Sequence, residues 1–154
     1  MFNHEPPGYV CPLCEIINGA DNEPPWTTQA DVVYRDDTII VWVNPKWWGD
    51  IEGNVVVIPT AHVENIFDLS DDLAAAVHRV ARQIAVAMKE TYGCPGVSTR
   101  QHNGPEGNQD AWHYHLHVFP RYRTDDLYGA SAEVVPPVRR APYADKLRAW
   151  FEAR

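Results

Sequence analysis

The chain has no apolar run of about 18 residues, the length an α-helix needs to span a bilayer, so no membrane segment is expected. Its start, Met1-Phe2-Asn3-His4-Glu5-Pro6-Pro7, lacks the basic and apolar stretches of a signal peptide, and a cytoplasmic location is the expectation. Cysteine is scarce. Three among 154 residues is an odd number that fits a reducing compartment better than a disulfide framework. Positive charge is in deficit, with 13 Lys and Arg against 21 Asp and Glu and a formal net charge of −8. That balance argues against a general nucleic-acid or anionic-membrane surface, and neither partner is expected. No internal repeat or low-complexity tract is visible. No glycine-rich phosphate cradle of the Rossmann or P-loop type occurs either, so flavin and nicotinamide cofactors are not indicated.

What is present is globular in balance, 45% hydrophobic and 22% charged, and long enough for a core without disulfide staples. One domain over residues 1–154 is expected, closing in a Pro- and charge-rich tail at 124–154. Val32 to Arg35 and Thr38 to Asn44 read as a hairpin around Asp36-Asp37, and Pro45 to Glu52 as a loop carrying Trp47-Trp48-Gly49. Gly53 to Pro59 reads as a buried strand. Ser70 to Gly93 reads as the one long helix. Ser70 suits its N-cap, Asp71 and Asp72 its first turn, and Gly93 its stop, with Leu73, Val77, Val80, Ile84 and Met88 forming one apolar stripe. His78, beside that stripe, reads as a surface residue. Gly96 to Gln101 reads as a strand, and a short helix is placed over Tyr143 to Phe151. One long helix among hairpin-connected strands indicates an α+β fold with an antiparallel sheet.

The most informative segment is Trp112-His113-Tyr114-His115-Leu116-His117-Val118-Phe119. A period of two predicts a strand with one buried face, all three imidazoles on the other face and neighbours about 7 Å apart. An ordinary solvent-facing strand would carry Thr, Lys, Glu or Ser there. Such a row can supply metal ligands, proton-transfer groups or a nucleophile at neutral pH. His115, with help on both sides, is the candidate nucleophile toward phosphorus or acyl carbon, and backbone carbonyls could fix its tautomer. His117 could donate to a phosphate oxygen. Gln109, in the loop from His102 leading into the row, is the natural side-chain donor. Arg100, Arg121 and Arg123 flank the row and could make a local positive patch.

Cys11-x-x-Cys14 reads either as a redox pair or as half of a zinc site. No strand precedes it, as a thioredoxin-type pair would require. Zinc needs two more ligands, for which His62 after a strand end and His113 at the head of the row are the candidates. The set Cys11, Cys14, His62 and His113 is closed, so such a zinc would be structural and would activate no water. Cys94 reads as a small buried residue.

The run Asn103-Gly104-Pro105-Glu106-Gly107-Asn108-Gln109-Asp110-Ala111-Trp112-His113-Tyr114-His115-Leu116-His117-Val118-Phe119-Pro120-Arg121 resembles the signature of the histidine triad (HIT) family. Cys11 to Gly19 resembles the zinc-binding start of bacterial members, and Val55 to Leu69 resembles the strand and helix that follow it in those proteins. The resemblance covers roughly residues 9–123. It implies a half-barrel antiparallel sheet with one long helix and a short N-terminal helix, paired in a homodimer. It implies nucleotidyl transfer or hydrolysis at an α-phosphate, of the phosphoramidate or dinucleoside polyphosphate class, through a nucleotidyl-histidine at His115. His117 and Gln109 match positions that hold phosphate and leaving-group oxygens. The stretch from Ile39 to Asn44 resembles the nucleoside pocket, and the nucleotide contacts expected are Asn44 at the ribose, Ile39, His102 and Asn103. Zinc is implied on Cys11, Cys14, His62 and His113, with magnesium allowed beside a polyphosphate substrate. A non-catalytic nucleotide-sensing module with the same zinc is the alternative.

The chain departs from many relatives in having Glu52-Gly53-Asn54 for Pro-Gly-His, His102 for Asn or Gln, and a bulkier loop at Lys46-Trp47-Trp48-Gly49. These departures bear on substrate choice.

Overall fold

The computed structural model describes residues 2–154. In chain order the elements are α1 (Pro12–Ile17), β1 (Val32–Arg35), β2 (Ile39–Val43), β3 (Lys46–Trp48), β4 (Val55–Pro59), α2 (Asp71–Thr91), β5 (Gly96–Arg100), β6 (Leu116–Arg121), β7 (Ala132–Val134) and α3 (Pro137–Glu152). The fold is α+β. An open antiparallel sheet runs β1-β2-β4-β6-β5, and β3 and β7 form a separate ribbon.

The central strands β2 and β4 are β-branched runs buried on both faces. Alternation then assigns each residue to a layer. Ile39, Val41, Val43, Val55 and Val57 pack against the α2 stripe of Val77, Val80, Ile84 and Met88. Ile40, Trp42, Val56 and Ile58 face the other way, onto Ile16 and Ile17 of α1. α2 begins where Ser70 Oγ accepts from the Leu73 amide at 3.2 Å. It ends before Gly93, whose φ of 71° suits glycine. His78 is exposed and Cys94 is buried, as expected.

Four expectations are corrected. The histidine strand starts at Leu116, not Trp112. Pro59 ends β4 and has no N–H to extend the ladder, while the Tyr114 amide donates instead to the Val63 carbonyl at 2.6 Å. The alternation nevertheless persists through the irregular stretch, since Tyr114, Leu116 and Val118 all join the helix-side core. The loop at 45–52 contains β3, paired with β7. Trp47 there is buried and its Nε1 donates to the Asn44 carbonyl at 2.8 Å. Residues 60–69 hold turns rather than a helix. Asn65 Oδ1 accepts from the Phe67 amide at 3.0 Å, a local bond that competes with helix formation.

Lastly, the tail is a 16-residue helix that starts six residues earlier than expected. Pro137 sits in the first turn, where a missing N–H costs nothing. Arg140 is fully buried against Asp31, with Nε–Oδ1 and Nη2–Oδ2 both 2.8 Å, and Ala144 and Leu147 enter the main core. Because Leu147 has no exposed surface, Leu147→Ala is expected to lower unfolding free energy by about 2–5 kcal/mol in denaturant titration. An unchanged midpoint would mean that α3 is not part of the core.

Candidate functional site

A cavity of about 630 Å³ opens on the sheet face away from α2. Its floor includes one cross-strand row in register, Trp42 on β2, Val56 on β4, His117 on β6 and Arg100 on β5. The row grades from an indole through an aliphatic residue to an imidazole and a guanidinium. Leu13 and Trp26 wall the apolar end, Trp48 the basic end, and His115 enters from the segment just before β6.

His115 Nδ1 lies 2.7 Å from the His113 carbonyl. A carbonyl only accepts, so Nδ1 carries the hydrogen and Nε2 keeps a lone pair. Burial lowers the His115 pKa, outweighing the opposing pull of that hydrogen bond and of Asp110, and the ring is neutral at pH 7. Nε2 stands 3.9 Å from Asp110 Oδ1, while Asp110 Oδ2 accepts from Lys46 Nζ at 3.1 Å. Burial pushes the Asp110 carboxyl up, but the Lys46 hydrogen bond and charge prevail and hold it below its ordinary value.

The His117 ring lies 5.1 Å from that of His115 and stacks on Phe119 at 5.5 Å. Burial, then the charges of His115 and Arg100, push its pKa well down. Its buried Nδ1 has no hydrogen-bond partner. An orphaned N–H is rarer than an orphaned lone pair, so the hydrogen belongs on Nε2.

Behind the row, Cys11, Cys14, His62 and His113 place their donor atoms within 4.8 Å of one another. His113 Nε2 donates to the Pro59 carbonyl at 2.9 Å, which turns the Nδ1 lone pair to Cys11 Sγ at 3.4 Å and Cys14 Sγ at 3.5 Å. His62 Nδ1 meets Cys14 Sγ at 3.3 Å, with Nε2 held by Glu5 at 2.7 Å. Two thiols and two imidazoles, each imidazole oriented by an outer oxygen, fit tetrahedral zinc. Among the described residues no second group of three such donors converges.

The structure brings together His115, His117, Asn44 and His102 at the cavity, and the four zinc candidates beside it. It places five expected residues elsewhere. Gln109 is buried outside the cavity. Its Nε2 donates to the carbonyls of Glu64 at 2.6 Å and Ala111 at 3.0 Å, and its Oε1 accepts from Gly104, so no amide hydrogen is left for a phosphate. Asn103 is a clamp as well, its Oδ1 accepting from the Ile66 amide at 2.7 Å. Ile39 lies on the helix face, and Trp42, of opposite parity, is the β2 residue on the floor. Arg121 is neutralised by Asp125 at 2.7 Å and Arg123 is exposed, so Arg100 alone of the flanking arginines lines the cavity. Sequence reasoning singled out neither Trp26 nor Asp110, and reached Trp42 and Lys46 only as members of the stretch from Ile39 to Asn44 and of the bulky loop after it. Of the first two, only Asp110 left a signal, its adjacency to Gln109 in the motif.

A model of the HIT domain matches residues 27–124. The Protein hit of Bacillus subtilis (strain 168) is 30% identical over 120 residues, 78% of this chain and 77% of its own. An adenosine 5′-monophosphoramidase of Saccharomyces cerevisiae, HNT1, is 31% identical over 71 residues, 46% of this chain and 42% of that protein. A zinc-bound histidine triad family protein from Mycobacterium smegmatis has a TM-score of 0.77 to this fold at 25% identity, over 94% of each chain.

The donor geometry predicts one zinc per chain by elemental analysis, lost in Cys11→Ala and kept in His115→Ala. Loss from His115→Ala would reassign the ligand set.

Proposed function

Since this chain belongs to the HIT domain family, we propose that it cleaves a nucleotide at the α-phosphate through a nucleotidyl-histidine at His115. The observation that carries this reading is the 2.7 Å hydrogen bond from His115 Nδ1–H to the His113 carbonyl, which presents the Nε2 lone pair to a cavity of nucleotide size.

The apolar end of the floor, Trp42 with Leu13 and Trp26, suits a base. Asn44 beside it uses one amide hydrogen on Asn54 Oδ1 and accepts from the Lys46 amide. One N–H and one lone pair are left for ribose hydroxyls. The α-phosphate then falls at His115, with His117 Nε2–H donating to a phosphoryl oxygen. In the first step the Nε2–P bond forms and the bond from phosphorus to the leaving group breaks, its electron pair departing with that group. The ring becomes cationic, and its Nδ1–H bond to the His113 carbonyl spreads that charge. In the second step water adds to phosphorus and loses a proton to solvent. The P–Nε2 pair returns to the ring as the nucleoside monophosphate leaves, and another acceptor in place of water gives transfer. Gln109 acts as a positioning residue by fixing the loop that carries His102 and Asp110.

Zinc on Cys11, Cys14, His62 and His113 is structural in this reading, since four protein ligands leave no position for substrate. It would cross-link the N-terminal segment to His113, whose carbonyl orients the nucleophile. Homodimer formation belongs to the same reading, supported by the sheet edges at β1 and β5, which have no second strand partner among the described residues.

His115→Ala is expected to lower nucleotide turnover by about 10⁴-fold or more with the fold retained by circular dichroism. Mass spectrometry of quenched wild-type reactions should detect a nucleotidyl adduct on His115. Binding without adduct or product would make the protein a nucleotide-sensing module instead.

A further inference from the structure

We propose that Arg100 forms an anion subsite one strand beyond the attacked phosphate, so that the preferred leaving group is itself a phosphate; this rests on the nucleotidyl-transfer reading above. Adjacent strands are about 4.8 Å apart, so the floor runs about 14 Å from Trp42 to Arg100. With a base at Trp42 and the α-phosphate at the histidines, the position at Arg100 is where the next phosphate of a polyphosphate chain would lie.

The state of Arg100 distinguishes it from its neighbours. Five other arginines, 121, 139, 140, 148 and 154, pair with carboxylates at 2.6–3.0 Å. Arg100 has no such pair among the described residues. Its guanidinium is held instead over the rings of Trp48 at 4.7 Å and Phe119 at 4.9 Å, which fix a cation without neutralising it. Its Nε is buried with no acceptor, and Nδ1 of the facing His117 is likewise unpartnered. Buried polar atoms are ordinarily satisfied, and the Arg100 Nε–H, left without an acceptor, favours a ligand with acceptor oxygens; the Nδ1 lone pair of His117 carries no such preference.

The carboxylate nearest the nucleophile argues for a different leaving group. Asp110 would favour an amine, which brings N–H donors. Lys46, however, already lies 3.1 Å from Asp110 and offsets it, which leaves Arg100 as the uncompensated charge of this end. An amine facing Arg100 would set donor against donor. A phosphate meets the planar fork with acceptors, and Trp48 keeps the fork in place. When the P–O bond to the leaving phosphate breaks, its electron pair stays on that oxygen. The guanidinium stabilises the charge that develops there.

The test compares diadenosine triphosphate with adenosine 5′-phosphoramidate for wild type, Arg100→Met and Arg100→Lys. The ratio of kcat/KM values, triphosphate over phosphoramidate, is expected to fall about 10–100-fold in Arg100→Met and to recover in part in Arg100→Lys. A ratio that does not move would overturn the subsite and point to the amine class with Asp110 as its partner. Calorimetric titration of His115→Ala with AMP and ADP, and with GMP and GDP, separates this from failure of the enzymatic reading, because no turnover is needed. The diphosphate is expected to bind more tightly than the monophosphate by about tenfold, and adding Arg100→Met should abolish the difference. Equal affinities in His115→Ala would refute the subsite. Tighter diphosphate binding without wild-type turnover would keep the subsite and discard the enzyme.

Discussion

The site depends on which way the side chains of residues 113–118 point. Tyr114, Leu116 and Val118 are committed to the core under α2. That commitment sends His113, His115 and His117 to the opposite face, and a slip of one residue would bury the imidazoles and expose the core. The constraint also survives where regular structure fails. Residues 113–115 lie outside the strand, yet Tyr114 still anchors its part of the chain. Leaving the ladder frees the His113 carbonyl, which a paired strand would have engaged, to receive Nδ1–H of His115. The irregularity that sequence periodicity did not foresee is thus what sets the tautomer of the proposed nucleophile.

The two chemistries of the site are joined through His113. Its ring faces two thiols and its carbonyl faces His115. A metal held by Cys11, Cys14, His62 and His113 would therefore restrain the peptide that orients the neighbouring imidazole, without touching substrate. Glu5 extends this arrangement outward, since it holds His62 and lies on the N-terminal arm, which Glu64 also ties down through the amides of His4 and Glu5.

Much of this was legible in the sequence because it rests on short-range rules. The α2 stripe with its Ser70 cap, the β-branched runs of β2 and β4, the histidine alternation and the Cys11-x-x-Cys14 spacing each leave a local pattern. What the sequence did not reveal depends on register between distant strands. Ile39 and Trp42 both look apolar, and only the pairing Trp42↔Val56↔His117 decides which one reaches the floor. Gln109 and Asn103 are polar loop residues whose amides are claimed by backbone groups 45 and 37 residues away, contacts that composition does not encode. Arg100 and Arg121 flank the same row, and the difference between them is a single aspartate four residues after one of them. The proline-rich tail misled in the other direction, because Pro137 and Pro142 depress helix propensity where the packing of Ala144 and Leu147 overrides it.

The buried pair of Arg140 and Asp31 has a reach beyond α3. Besides Asp31, the guanidinium donates to the carbonyls of Pro25 at 2.7 Å and Trp26 at 3.0 Å, which belong to the segment that walls the cavity. Removing either charge would strand the other in a dry interior, at a cost of about 3–5 kcal/mol. The cavity wall at Trp26 and the last helix therefore cannot loosen independently. They form one cooperative unit, and the shape of the binding chamber is inherited from the far end of the polypeptide rather than from the residues that line it.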